Sequence, residues 1–212
     1  MIRIISFAVT LVSINLNAAT LTFEENGNMP IGGVSFHENI GEFHAQNLLD
    51  LNIQKGIGIM NATDSLNNYS HLVTSEKNVA YLGWDYLYSL SLNTGELFDF
   101  QSADFGMSHG NTNNLVLLEG YRDGGLIYSA AVTSNWVDPN GGSLEKNTLN
   151  WSGIDRLTIT TQHFNSGVSV MDNMVYSVHE VPIPASLPLF TTAILSFLLI
   201  TKKAKVSQRN AL

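Results

Sequence analysis

One pattern in the sequence is typical of a nucleophilic hydrolase. Gly106-Met107-Ser108-His109-Gly110 matches G-x-S-x-G, in which a strained strand-to-helix turn holds a serine over an oxyanion hole. The next four residues, 111–114, read Asn-Thr-Asn-Asn, which is a poor helix start and leads directly into another apolar run. A glycine-rich chain matches so short a pattern easily by chance. We therefore predict a plain loop here and no catalysis by Ser108.

The remaining acidic residues and histidines show no catalytic or zinc-binding spacing. A glycosidase needs two carboxylates on either side of one bond, and no two acidic residues share a face within one apolar run. The 6 histidines never form His-x-His or His-x-x-x-His, and 0 cysteines exclude a thiolate site or a disulfide. The sequence predicts a protein that is not an enzyme. A secreted hydrolase whose site is assembled across strands is the alternative.

Aromatic residues provide two candidate contacts with sugars. Trp84, Tyr86 and Tyr88 alternate in the run Val79–Tyr88, so in a strand they project from one face. Leucines of the same parity flank them, which favours a stripe that faces the core over one that stacks on sugar rings. Trp84 is the candidate if the stripe is exposed. Trp136, in a loop close to a proline, is the second candidate.

The charges are distributed unevenly along the chain. The whole chain has a net charge of −8, but residues 20–180 hold all 18 acidic residues and five of the 10 basic ones, a net charge of −13. Such a body repels phosphate backbones and anionic membranes, so a polysaccharide is a better partner than a nucleic acid. The other five basic residues lie at the two ends of the chain. The ends are therefore interpreted separately.

Residues 20–180 are predicted to form one all-β domain. Short apolar runs alternate with clusters of Gly, Asn and Asp, and Tyr121–Leu126 contains Asp-Gly-Gly, a strong hairpin signal. About ten strands at this spacing favour an antiparallel two-sheet β-sandwich of jelly-roll type. The segment Phe43–Ile53 suits a short helix or a strand. The predicted strands are Thr20–Phe23, Val34–Ile40, Gly56–Met60, Val79–Tyr88, Leu97–Gln101, Leu115–Tyr121, Leu126–Thr133, Leu144–Leu149, Leu157–Thr161 and Val168–Val178.

The N-terminal residues 1–19 have the order of a secretory signal peptide. Arg3 supplies a positive charge, Ile4–Ile14 is an apolar run too short to span a bilayer, and a polar stretch then ends at Ala18-Ala19. We expect export through the Sec translocon and cleavage near these alanines.

The C-terminal residues 181–212 are predicted to contain one transmembrane helix. Residues 181–201 carry no charge, and Lys202, Lys203 and Lys205 follow immediately. The basic tail would stay on the cytoplasmic side of the inner membrane and leave the acidic body outside. By hydropathy alone, this segment suits a permanent single-pass anchor.

The same segment resembles a known sorting signal. Val181-Pro182-Ile183-Pro184-Ala185, followed by Leu-Phe, an apolar stretch and a basic tail, resembles the PEP-CTERM signal of exported proteins in Gram-negative bacteria. The resemblance implies an exosortase as partner, processing at the motif, and a mature protein at the cell surface or in the extracellular matrix. The alternative is the permanently anchored surface protein.

The body also resembles that family. Gly120–Gly125, Asn150–Ile159 and Met171–Val175 are similar to segments of PEP-CTERM proteins whose bodies look like carbohydrate-binding modules. The resemblance implies a sandwich fold, polysaccharide as a possible ligand, and a structural calcium ion where the first and last strands meet. Calcium takes carboxylate and carbonyl oxygens, and Glu24, Glu25 and Asp172 are the candidate ligands.

Overall fold

The computed structural model describes residues 18–24, 34–49, 55–62, 72, 77–83, 86–107, 114–137, 143–162 and 168–179. The chain divides into two units, Met1–His179 and Glu180–Leu212, and all of these residues belong to the first. The predicted signal peptide up to Asn17, the sorting motif, the transmembrane segment and the basic tail lie outside them. The described part of the chain contains no helix that is long and apolar enough to cross a membrane.

The described residues form thirteen β-strands. They are β1 (Ala19–Leu21), β2 (Val34–His37), β3 (Asn39–Ile40), β4 (Phe43–Asn47), β5 (Ile57–Asn61), β6 (Asn78–Tyr81), β7 (Leu87–Leu92), β8 (Phe98–Met107), β9 (Asn114–Arg122), β10 (Gly125–Ser134), β11 (Glu145–Ile154), β12 (Arg156–Gln162) and β13 (Ser169–Val178).

These strands build two antiparallel sheets, which confirms the prediction of an all-β sandwich. Sheet 1 has seven strands in the order β11-β8-β13-β6-β5-β2, and β1 also pairs with β13. Sheet 2 has six strands in the order β10-β9-β12-β7-β4-β3. The first and last strands of the body are therefore direct neighbours, as the resemblance implies.

Alternating apolar residues from the two sheets form the main core. Leu157 and Ile159 of β12 are buried in it, whereas Thr160 on the opposite face is partly exposed. The Phe43 ring meets the Phe98 ring edge-on, with centroids 5.2 Å apart. Each such side chain contributes roughly 1.5–3 kcal/mol when fully buried.

A second apolar cluster covers the outer face of sheet 1. Along β5, β6 and β13, neighbouring residues alternate between the main core and this cluster, which includes Met60, Val79, Val170, Val137 and Leu144. Much of sheet 1 is thus buried on both faces. The outer face of sheet 2 has no such cover among the described residues, and it is there that a ligand can reach a sheet.

The predicted strand Val79–Tyr88 is wrong, because the chain changes sheets within it. Its first part is β6 in sheet 1, and its last residues belong to β7 in sheet 2. Gly83 has φ +47°, and a Cβ atom there would lie 2.1 Å from the Tyr86 ring, so the crossing requires glycine. The predicted strand Val34–Ile40 is likewise divided between the two sheets, into β2 and β3.

For other segments, the observed structure agrees better with the prediction from sequence. The hairpin at Tyr121–Leu126 is confirmed: Arg122 and Gly125 pair, and Asp123 and Gly124 have φ of 51° and 76°, as a type I′ turn requires. The ambiguous segment that begins at Phe43 is a strand, β4. Strand β8 continues to Met107, six residues beyond its predicted end.

Candidate functional site

Outward-facing polar side chains line the open face of sheet 2. Pairing places Tyr121 opposite Arg156, and it places Glu119, Thr158, Ser89 and Gln46 in one row across four strands. Because side chains directly opposite each other lie on the same face, these residues share the outer face of sheet 2, where Ser89 and Thr158 are buried and the others are at least partly exposed. We call it the polar face, and its members are His44, Gln46, Ser89, Ser91, Glu119, Tyr121, Arg156 and Thr158.

Hydrogen bonds fix the centre of the polar face. The Tyr121 hydroxyl donates to Glu119 Oε2 at 3.0 Å, and the Thr158 hydroxyl donates to the same oxygen at 3.3 Å. Partial burial and the bond to Glu119 raise the pKa of Tyr121 above its ordinary value. The Glu119 carboxylate is therefore held by two hydroxyl groups.

Arg156 lies over the Tyr121 ring, with its Cζ atom 4.4 Å from the ring centroid. No carboxylate of the described residues lies within ion-pair distance of it, and its Nε atom is buried without a hydrogen-bond partner. The stacking contact holds the guanidinium in place while leaving its other N–H groups available.

At its β4 end the polar face meets a concavity of about 160 Å³. Its lining includes His44, Gln46, Glu38 and Lys55, and the last two approach each other to 4.0 Å. This volume is below the range of a typical small-molecule pocket, so the concavity suits the edge of an extended ligand better than a whole one.

Trp136 lies on a separate surface, beside the end of β8. The flanking backbone is fixed, because Met107 N–H donates to Asn135 O at 2.8 Å and Val137 N–H donates to Met107 O at 3.1 Å. The Trp136 side chain is 47% exposed. Next to it, Asn135 Nδ2 donates to Glu145 Oε2 at 2.5 Å. An exposed indole thus follows Asn135 on a backbone that two hydrogen bonds to Met107 hold in place.

The other predicted sugar contact, Trp84, lies outside the described residues. The prediction that its stripe faces the core is confirmed for Tyr88, which is fully buried and stacks on Tyr86 at 5.5 Å. Ser108 also lies outside, and the next described element after it is strand β9.

Three residues with the chemistry of a catalytic triad meet in the structure, and the sequence did not indicate them. Asp99 Oδ1 lies 2.6 Å from His179 Nδ1, and Ser152 Oγ lies 3.3 Å from that same nitrogen. A triad needs the serine at the other ring nitrogen, so that histidine can remove its proton. Here Ser152 instead donates to Asp99, at 2.9 Å. The cluster fixes structure and does not activate a nucleophile.

Within the described strands, one pairing sets two acidic residues directly opposite each other, as the hydrolase alternative needs. Asp104 and Asp172 lie directly opposite each other on β8 and β13. Asp172 is fully buried, and Asn173 donates a side-chain hydrogen bond to Asp104 at 3.0 Å. A carboxylate without access to solvent cannot reach a glycosidic bond, so this pair does not form a hydrolase site.

Of the predicted calcium ligands, Glu24 makes hydrogen bonds to the start of β6. Glu24 Oε1 accepts the backbone N–H groups of Lys77 and Asn78, both at 2.6 Å, and Oε2 accepts from the Asn78 amide. Glu24 thereby joins the end of β1 to the start of β6. Glu25 is not among the described residues. Among the residues that are described, no three Asp, Glu or His side chains form a metal-binding cluster. The calcium site stays a prediction.

The polar face could be found only in part from sequence. The alternation Leu-x-Glu-x-Tyr at 117–121 and Arg-x-Thr-x-Thr at 156–160 indicates two half-buried strands with polar outer faces. It does not indicate that these strands are neighbours. The stacking of Arg156 on Tyr121 depends on that pairing.

Comparison with known proteins yields structural likeness only. No protein-family model matches the sequence, and no curated protein matches it. The fold is similar to the K2 cleaved adhesin domain of Lys-gingipain (TM-score 0.47, 11% identity, covering 76% of this chain and 100% of that one). It is also similar to TmCBM61, solved with beta-1,4-galactotriose (TM-score 0.39, 13% identity, covering 67% of this chain and 92% of that one). A further similar structure is the Agl-KA catalytic domain (TM-score 0.37, 14% identity, covering 74% of this chain and 32% of that one). The neighbours of this β-sandwich thus include adhesin and carbohydrate-binding domains, and at these low similarities nothing follows about what this chain binds.

Proposed function

We propose that this protein is a non-enzymatic polysaccharide-binding protein of the cell surface or extracellular matrix. The observation that carries the proposal is Trp136, an exposed indole on a backbone held by two hydrogen bonds to Met107. An exposed indole has an apolar ring and a polar N–H group, so it suits a partner that offers both apolar and polar groups. The apolar C–H face of a sugar ring is a suitable cover.

The surroundings of Trp136 support a sugar over an apolar partner. Sugars combine an apolar ring face with a rim of hydroxyl groups that donate and accept hydrogen bonds. Asn135, the residue before Trp136, is hydrogen-bonded to Glu145, and this amide and carboxylate are polar partners that a polysaccharide stacked on the indole could use. Because the segment is already ordered, little conformational entropy is lost on binding.

The experiment is retention on insoluble polysaccharides, with oligosaccharide titration to obtain Kd. We expect Trp136→Ala to raise Kd at least about tenfold, because truncating a central aromatic contact typically costs more than 1 kcal/mol. Leu49→Ala is the matched control, since Leu49 is also exposed (63%) but has no predicted role. No retention of the parent protein, or equal retention of the Trp136→Ala variant, would contradict the proposal.

We further propose that an exosortase sorts the protein. The support is the sequence at Val181–Ala185, the uncharged segment up to residue 201 and the basic tail, together with the signal peptide predicted from residues 1–19. In this proposal the Sec translocon exports the acidic body, the C-terminal segment pauses in the inner membrane, and processing releases the body. A permanent single-pass anchor is the competing outcome.

A further inference from the structure

The charge balance makes the environment of Arg156 unusual. Residues 20–180 contain 18 acidic and five basic residues, so carboxylates are plentiful around any cation. Even so, none in the described part of the chain forms an ion pair with Arg156, and Nε makes no hydrogen bond. Among the described residues, the guanidinium of Arg156 contacts the ring of Tyr121, on which it stacks.

The structure also shows why Glu119 does not neutralise Arg156. Glu119 belongs to the next row of the polar face, and its Oε2 atom accepts from the hydroxyl groups of Tyr121 and Thr158. Tyr121 therefore has two effects: its ring supports the guanidinium, and its hydroxyl holds the carboxylate elsewhere. The guanidinium is held by the ring, and none of the described residues accepts a hydrogen bond from it.

We infer that Arg156 binds the carboxylate of an acidic sugar, a uronic acid unit within the polysaccharide. A planar guanidinium matches a carboxylate through two parallel N–H···O bonds, and such charge-assisted bonds are roughly twice as strong as neutral ones. On the same face the partly exposed Ser91 can hydrogen-bond a remaining hydroxyl group of the sugar. The inference rests on the proposed polysaccharide binding and specifies its ligand.

The body charge limits which acidic polysaccharide fits. A net charge of −13 repels a polymer that carries a carboxylate on every unit, but this repulsion is screened beyond roughly 10 Å at 0.1 M salt. A single uronic acid among neutral sugars meets Arg156 at short range and avoids most of the repulsion. The ligand is therefore a sparsely charged polysaccharide.

The test compares two sugars that differ by one carboxylate, cellobiose and cellobiouronic acid, titrated against the full-length protein. We expect the parent to bind cellobiouronic acid at least about tenfold more tightly, because hydrogen bonds between charged groups exceed neutral ones by this order. Arg156→Gln removes the preference, and Arg156→Lys, which keeps the charge but loses the fork, restores it only in part.

Two further variants separate this site from general electrostatics and from misfolding. Lys146→Gln removes the same charge at an exposed position of β11 and keeps the preference. Tyr121→Phe keeps the ring but frees the Glu119 carboxylate to pair with Arg156, so it weakens binding of the acidic sugar. Thermal unfolding of each variant confirms that it is folded.

The outcomes distinguish this inference from the proposed function. Equal affinity of the parent for the two sugars, or an equal loss in Lys146→Gln and Arg156→Gln, overturns the inference even if Trp136 proves necessary for retention on polysaccharide. A parent that retains neither sugar nor polysaccharide overturns both.

Discussion

Asp99 Oδ1 and His179 Nδ1 lie 2.6 Å apart, which joins the second residue of β8 to the residue that follows β13. The same oxygen accepts the backbone N–H of Gly153 at 2.6 Å and the Ser152 hydroxyl at 2.9 Å. One carboxylate oxygen thus connects three strands of sheet 1, β8, β11 and β13. His179 is also the last described residue before the predicted sorting segment.

Removing this carboxylate should destabilise the body. In Asp99→Ala the Gly153 N–H loses its acceptor, so we expect the free energy of unfolding in urea to fall by about 1–3 kcal/mol. Glu96→Ala, at an exposed position three residues earlier, should change it by less than about 0.5 kcal/mol. Equal effects of the two substitutions would show that the Asp99 contacts do not stabilise the body.

Two glycines with similar backbone angles should differ in their tolerance of alanine. Gly56 (φ +84°) and Gly95 (φ +73°) both lie in the left-handed region, but a Cβ atom at Gly56 would lie 1.9 Å from His37 O, while Gly95 has open space. Gly95→Ala should cost about 1 kcal/mol for the backbone angle alone. Gly56→Ala should cost several times more or prevent folding. Denaturant midpoints measure both, and similar midpoints would contradict the clash.

Alkaline pH should destabilise the protein through Tyr88. Burial raises the pKa of this fully buried residue far above its ordinary value, and its hydroxyl approaches the Gly58 backbone without a hydrogen bond of normal geometry. Above the unfolded pKa of about 10, the unfolded chain ionises Tyr88 while the folded protein keeps it neutral. Stability is therefore constant below that pH and falls as pH rises above it. Tyr88→Phe should reduce this fall, with little loss at pH 7; an unchanged slope would exclude Tyr88 as its source.

A substitution of Glu24 tests whether this residue acts through its hydrogen bonds or as a calcium ligand. Glu24→Ala leaves two backbone N–H groups without acceptors, so we expect a loss of roughly 1–2 kcal/mol by thermal unfolding. Because both carboxylate oxygens already accept protein donors, the loss should be the same in calcium and in EDTA. A rise of Tm with calcium in the parent that Glu24→Ala abolishes would instead establish the site predicted with Glu25 and Asp172.

The sorting proposal predicts the loss of both ends of the chain. Intact-mass measurement of the protein from its native host should give a body that begins near Ala18 or Ala19 and ends near residues 180–186. Deleting the exosortase gene should abolish that C-terminus. A membrane-bound species that still carries residues 190–212 would mean a permanent anchor, because moving three lysines through the bilayer costs several kcal/mol.

Turn residues and apolar alternation predicted the fold correctly where neighbouring residues in the sequence determine the structure. Asp123-Gly124 forms the hairpin turn because both positions need positive φ, and the alternation around Leu157 identifies β12 by its period. The crossing at Gly83 was missed because β6 and β7 are both apolar, and an apolar run does not show which sheet it joins. The sheet assignment depends on tertiary packing.

The candidate site was less predictable than the fold for the same reason. Trp136 could be proposed from its residue type and its loop, and the structure places it on an exposed surface. The pairing of Tyr121 with Arg156 joins strands that are far apart in sequence, and the contacts of Asp99 require three separate segments to meet. Such contacts follow from register and sheet order, which residue periodicity does not specify.

The position of β13 sets a limit on when the body can fold. It is the last of the described strands in chain order, yet it lies inside sheet 1, where it pairs with β8 on one side and with β6 and β1 on the other. A nascent chain that lacks residues 169–178 has three strands without their common partner and an open core. Pairings so distant in sequence also form slowly. The two sheets therefore cannot be completed until residues 169–178 are available to pair.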